Sequence, residues 1–112
     1  TMPQQVSLDD AYRAVSMFKK MDVPVLGIVE NMSYLEMEDG SLRRIFGEGG
    51  GEQLAGMAGV PLLGNIPIEE AVRAGGDQGA PVVVTDPDSA SGRAFSGLAQ
   101  SVAARMSMEL RR

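Results

Sequence analysis

Val23-Pro24-Val25-Leu26-Gly27-Ile28-Val29 is an unbroken apolar run, and Glu30-Asn31 follows it directly. A strand with one wet face alternates apolar and polar residues; a strand covered on both faces does not, as in a parallel sheet. The run therefore predicts a strand over 23–29, buried on both faces, with Glu30 and Asn31 at its carboxyl end. Val60-Pro61-Leu62-Leu63-Gly64-Asn65-Ile66 repeats the pattern V-P-x-L-G and predicts a second strand of this type, ending at Pro67. Two copies are too few for a solenoid. They read as two similar helix-to-strand junctions in one sheet.

The segments around these strands are helical in pattern. Leu8, Ala11, Tyr12, Val15 and Phe18 recur at three- and four-residue steps over 7–20, giving one apolar stripe. Ser7 is the expected N-cap, with Asp9 and Asp10 in the first turn and Lys19 and Lys20 at the other end. A second helix is expected from Gly50, carrying Leu54, Ala55, Met57 and Ala58 and stopping at Gly59. A short third helix is expected over 68–74, a loop over 75–81 and an extended piece at Val82-Val83-Val84. Asp88 or Ser89 is expected to cap a last helix to about Leu110, burying Ala94, Phe95, Leu98, Val102, Ala103 and Met106. Between the first strand and the second helix, Asp39-Gly40 predicts a type I′ turn, and hence a hairpin over 34–46. The glycine run 49–51 reads as a loop leading into a helix. Alternating helices and strands give an α/β fold.

Composition narrows the chemistry. With 112 residues the chain is expected to be one domain. It has no cysteine and no histidine, which removes disulfides, thiolate ligands, cysteine nucleophiles and imidazole bases. A net charge of −5 argues against nucleic acid as a partner. No apolar run approaches the roughly 20 residues that span a bilayer, and residues 1–5 show no signal-peptide pattern. A cytoplasmic location, with no membrane partner, is the expectation.

Two strands are few for a doubly wound sheet, and residue 1 looks like the exit of a preceding strand. The expectation is a partial doubly wound parallel sheet with an inserted β-hairpin. The missing neighbours would come from a larger ATPase or from a second copy of the chain.

Thr1-Met2-Pro3-Gln4, the run Val23 to Tyr34, Ile45-Phe46-Gly47-Glu48-Gly49-Gly50-Gly51, Gly64-Asn65-Ile66-Pro67, and Pro81 to Val84 with Asp86-Pro87-Asp88-Ser89 occur in this order. Together they resemble the C-terminal part of the Mrp/ApbC family of P-loop ATPases, which is similar to MinD and ParA. The resemblance covers essentially the whole chain. It implies the C-terminal half of a P-loop NTPase fold, and an iron–sulfur cluster carrier that dimerises and binds ATP.

Three features depart from that family. No G-x-x-x-x-G-K-[ST] is present, and Glu52 follows the glycines where a cradle needs lysine and a hydroxyl. The family's acidic magnesium-positioning residues, which lie upstream, are also absent. Its C-x-x-C pair would fall at Met37 and Gly40, so an iron–sulfur cluster is not expected on this chain.

One functional position matches. By the resemblance, Asn31 is the adenine reader, its amide donor and acceptor facing the N6/N7 edge of the base. Ile66 and Pro67 are the other wall of the pocket. No catalytic residue and no metal ligand is expected. Glu36, Glu38 and Asp39 read as a solvated hairpin tip, and Asp86, Asp88, Glu69 and Glu70 as capping acids. The expected function is the adenine side and dimerisation hairpin of an Mrp-like protein, binding ATP weakly or not at all alone. The alternative is a stand-alone partner-binding or self-associating α/β module without nucleotide chemistry.

Overall fold

The computed structural model describes residues 1–111; Arg112, expected to close a basic helix end, lies outside them. The chain runs α1 (Gln5–Lys20), β1 (Ile28–Glu30), β2 (Leu35–Glu36), β3 (Leu42–Arg43), α2 (Gly50–Ala58), β4 (Leu62–Asn65), α3 (Glu70–Gln78), α4 (Val82–Thr85) and α5 (Ala90–Leu110). β1 and β4 pair in parallel, with Ile28 opposite Leu62, Val29 opposite Gly64 and Glu30 opposite Asn65. β2 and β3 form a separate antiparallel pair. The α/β class and the parallel pairing of the two V-P-x-L-G segments agree with the sequence.

The strands are shorter than their apolar runs. Only 28–30 and 62–65 join the ladder; Pro61, which has no N–H to give, stands directly before β4, and its carbonyl accepts from Ile28 N (2.9 Å). Nor is the first run buried on both faces: Val23 is 44 % exposed and Ile28 only 6 %. On the edge of β1 away from β4, Thr1 N donates to Val29 O (2.8 Å) and Asn31 N donates to Thr1 O (2.7 Å). That is the slanted pattern of a parallel ladder, one residue long.

The core lies between α1, α2 and β1. Leu8, Val15, Ile28, Leu54, Ala55 and Ala58 are buried together, with Ala11, Val60 and Leu62 packed against them. α5 packs on β4, where Leu98 lies over Gly64. Met57 points out of α2 at 56 % exposure, and on α5 Ala103 and Met106 are exposed while Ala94, Phe95, Leu98 and Val102 are half-buried.

Several boundaries differ from expectation for local reasons. α1 starts at Gln5 with Gln4 as its N-cap, and the Ser7 hydroxyl instead accepts from Met2 N (3.0 Å), tying the leading segment to the helix. α3 runs on through Gly75 and Gly76; Gly75 is buried where an added Cβ would lie 2.5 Å from Ala80 O, so glycine serves close packing there. Val82 to Thr85 form a helical turn, with Thr85 N donating to Pro81 O (3.1 Å), despite the strand propensity of three valines. At the hairpin tip only Gly40 has positive φ (+85°), so the turn is not type I′. Met37 N donates to Ser41 O and Gly40 N to Met37 O, as in a three-residue loop closed by glycine. Gly59 (φ +70°) ends α2 and Ser89 caps α5, as predicted.

Candidate functional site

The carboxyl ends of β1 and β4 hold a buried polar group, Glu30 with Ser33. Glu30 is 3 % exposed. Its Oε1 accepts from Gly51 N (3.0 Å) in the first turn of α2, and its Oε2 accepts from Ser33 Oγ (2.5 Å). Ser33 is fully buried. A buried carboxylate needs such partners, and a helix N-terminus favours negative charge.

The glycine run follows from this packing. A Cβ at Gly51 would lie 2.9 Å from Glu30 Cβ, and one at Gly50 would lie 2.8 Å from both Pro3 O and Leu8 Cδ1. The expected loop-to-helix junction is present, and its glycines let α2 touch β1 and the leading segment. Sequence reasoning missed Glu30 and Ser33. The available signal was a glutamate ending an apolar run, a serine three residues on and a glycine pair opening a helix.

Asn31 sits one residue beyond Glu30, on the surface. Its Oδ1 accepts from Met32 N (2.9 Å), and Met32 has φ +52°. Among the described residues, the Asn31 Nδ2 group makes no hydrogen bond. Asn31 lines an open groove of about 490 Å³ with Met32, Pro67, Ile68 and Val72, and with the charged residues Glu69, Glu70 and Arg73. Asn31 and Pro67 thus come together as expected. Ile66 does not line the groove; it is 2 % exposed and acts through its backbone. Ile66 N donates to Glu30 O (2.8 Å) and Ser33 N donates to Ile66 O (2.9 Å), which holds the 30–33 turn beside Pro67. A largely apolar groove with one free amide donor fits a planar base.

A second, polar cavity of about 170 Å³ lies where Glu30, Tyr34, Arg44, Glu48, Glu52 and Asn65 meet. Arg44 stands 5.9 Å over the Tyr34 ring and 3.5 Å from Glu48. Among the described residues, no group of three or more carboxylates is placed to hold a metal ion. Met37 and Gly40, the positions of the resembling family's cysteines, meet across the hairpin turn but offer no thiolate. At that tip Asp39 accepts from both Ser41 Oγ and Ser41 N, which holds its carboxyl below the ordinary value of 3.8.

Residues 1–103 match the family model of the ParA group described as NUBPL iron-transfer P-loop NTPase. The chain belongs to this family. Relatives of the chain include the iron–sulfur cluster carrier protein of Synechocystis sp., 50 % identical over 110 residues, covering 96 % of this chain and 31 % of the relative. The carrier protein of Pyrococcus horikoshii is 48 % identical over 103 residues, covering 91 % and 35 %. The Arabidopsis thaliana iron–sulfur protein required for NADH dehydrogenase is 46 % identical over 101 residues, covering 89 % and 32 %. The chain therefore spans about a third of the length of these relatives. Among solved structures, the cell division ATPase MinD of Pyrococcus furiosus superposes with a TM-score of 0.71 at 29 % identity, over 93 % of this chain and 40 % of MinD. The septum site-determining protein MinD of P. horikoshii, solved with Mg-ADP, gives 0.71 at 28 % identity, over 91 % and 38 %. The α/β fold of this chain is thus that of the matching part of the MinD ATPases, and among the described residues no helix is long and apolar enough to cross a membrane.

Proposed function

We propose that this chain is the C-terminal portion of an ATP-binding iron–sulfur cluster carrier of the cytoplasm, supplying the adenine side of its nucleotide site. The observation that carries this reading is the free Asn31 amide, which shares a largely apolar groove with Pro67 at the carboxyl ends of two parallel strands. Open α/β sheets bind ligands at that end. ATP supplies the group to be bound, and Asn31, with the Pro67 wall, would hold its base.

The phosphate side is another matter. No lysine or hydroxyl follows the glycine run, so nothing in this sequence meets phosphate and magnesium as a P-loop does. The chain alone is therefore inactive as an ATPase and binds nucleotide weakly. Its hairpin and exposed apolar residues, Val6 (66 %), Met17 (50 %), Met21 (65 %) and Val84 (74 %) among them, supply surface for a second copy or for the N-terminal half of an ATPase. Iron and sulfide are the cargo of the carrier, and their ligands lie outside a cysteine-free chain.

The test is a ¹H–¹⁵N NMR titration of the chain with adenosine, beside an ATP hydrolysis assay. Shifts confined to Asn31, Met32, Ile68 and Val72, abolished in Asn31→Ala, with no turnover, are expected. Shifts that persist in Asn31→Ala, or turnover of ATP by this chain, would overturn the proposal.

A further inference from the structure

We propose that the outer edge of β2 takes an extended basic peptide segment, added as a strand in the acidic groove between the β2–β3 hairpin and α3. Leu35 pairs with Arg43 and Glu36 with Leu42, and Met37 N donates to Ser41 O (2.8 Å). Along a strand of an antiparallel pair, successive residues turn their backbone groups toward the partner and away from it. Leu35 and Met37 therefore bond toward β3, while Tyr34, Glu36 and Glu38 turn their backbone groups to the outer edge. The chain itself uses the first of these: Ile68 N donates to Tyr34 O (2.7 Å). Past Ile68 it enters α3 at Glu70, and among the described residues Glu36 N and Glu36 O meet no partner. An open edge binds a strand through main-chain hydrogen bonds, and the surroundings of alternate side chains choose its sequence.

The side chains define that sequence. The edge opens into a groove of about 610 Å³, lined by residues 35–38 of the hairpin, by 67–71 and by the start of α5; Asn31 does not line it. Four glutamates line the groove, and among the described residues no lysine or arginine does. Glu69 Oε1 is taken by Ser91 N (2.6 Å) and Glu70 by Arg73 (3.2 Å), but Glu36 and Glu38 are exposed and, among the described residues, carry no ion pair. Successive side chains of a strand point to opposite faces, so Glu36 and Glu38 share one face of the hairpin, and Leu35 and Met37 the other. A strand laid beside them meets carboxylates with every second side chain and apolar surface with those between. Its complement is a segment in which lysine or arginine alternates with an apolar residue. The same pattern disfavours a second copy of this edge as the occupant, since Glu36 and Glu38 would then face like charges.

The probe is the capped peptide Lys-Val-Lys-Val-Lys-Val-Lys, titrated into the chain and followed by ¹H–¹⁵N NMR. Two control peptides accompany it, one with glutamate in place of lysine and one methylated on each amide nitrogen. Saturable shifts of the Glu36, Glu38, Ile68 and Ala71 amides are expected with the first peptide and with neither control. Affinity should fall as salt rises from about 0.05 to about 0.3 M, because the charges that attract the peptide are exposed. A double variant, Glu36→Lys with Glu38→Lys, should bind at least about fivefold more weakly, two exposed ion pairs having turned repulsive, while its Ile28 and Leu54 signals stay in place. Asn31→Ala should bind the peptide as wild type does, which separates this edge from the base groove. No saturable shift overturns the proposal. Equal binding of the methylated peptide overturns strand addition, and equal binding of the glutamate peptide or an unchanged affinity in the double variant overturns the role of charge. Binding lost in Asn31→Ala would move the peptide into the base groove and overturn this site. So would a peptide-free dimer by light scattering that the double variant abolishes, which would give the edge to a second copy.

Discussion

Gly50 and Gly56 stand in the same helix, and replacing each by alanine should change stability in opposite directions. Both substitutions gain helix propensity, at most about 1 kcal/mol per site. At Gly56 nothing lies within 4 Å of the added methyl, so Gly56→Ala should stabilise by roughly 0.5–1 kcal/mol. At Gly50 the methyl would meet Pro3 O and Leu8 Cδ1 at 2.8 Å and Pro3 Cα at 3.1 Å. Leu8 can rotate; the Pro3 backbone is held by the buried ring and by the Thr1 and Met2 bonds beside it. Overpacking of this kind costs about 1–3 kcal/mol, more than the propensity gain. Gly50→Ala should therefore destabilise by roughly 1–2 kcal/mol, a fall of about 4–8 °C in Tm for each kcal/mol in a domain near this size. Urea and thermal unfolding of the pair measure both signs in one experiment. If Gly50→Ala proves as stabilising as Gly56→Ala, the glycines at 49–51 are not there to let α2 approach the leading segment.

Three further outcomes are expected. Ser89→Ala removes the cap that accepts from Gly92 N at 3.0 Å and should cost about 1 kcal/mol in chemical unfolding, with Ser89→Asp close to wild type. The Asp39 carboxyl titrates below 3.8, chiefly through the Ser41 hydroxyl and then the Ser41 N–H. A depressed folded-state pKa means that its contribution to the hairpin is present above the unfolded value and lost as pH falls through the folded one. A ¹³C-detected titration should show the Asp39 midpoint rising in Ser41→Ala; an unchanged midpoint would remove the hydroxyl as the cause. Reconstitution of this chain with ferrous iron and sulfide should give no visible cluster absorption, since no cysteine is present; a stable band would mean that other ligands suffice.

What was legible in the sequence was what short-range pattern dictates. The V-P-x-L-G echo named both parallel strands, Gly59 and Ser89 marked helix ends, and Asp39-Gly40 located the hairpin. Lengths are not legible, because ladder length depends on which donors meet an acceptor, and the pairing begins only at Ile28 and Leu62. The turn type was missed because the Asp39 side chain bonds to Ser41, an alternative to left-handed backbone that the dipeptide alone does not disclose. Val82-Val83-Val84 reads as extended, but the Pro81 carbonyl accepting from Val84 N and Thr85 N, and the burial of Val82, make a helical turn over Val82–Thr85. Asn31 and Pro67 were named from resemblance and share a groove. Glu30 and Ser33 carry only a faint signal in the sequence, since their significance lies in a contact with Gly51, 21 residues downstream of Glu30.

The same contact decides what the glycine run can do. A helix N-terminus with free N–H groups is a ready anion site, and Gly49-Gly50-Gly51 opening α2 looks like one by composition. Here the anion is internal: the Glu30 carboxylate already accepts from Gly51 N and is 3 % exposed. A phosphate at that position would have to displace a buried carboxylate or sit beside it, and two like charges at one helix end repel. Glu48 and Glu52 flank the same cavity and add to that repulsion. Inorganic phosphate or sulfate titrated into the chain should therefore leave the Gly49, Gly50 and Gly51 amide signals in place at any concentration that preserves the fold. In Glu30→Gln, with the internal charge removed, those amides should begin to respond. Saturable shifts of the three glycines in the wild-type chain would refute this, and would return the run to the phosphate-binding role that its packing denies it.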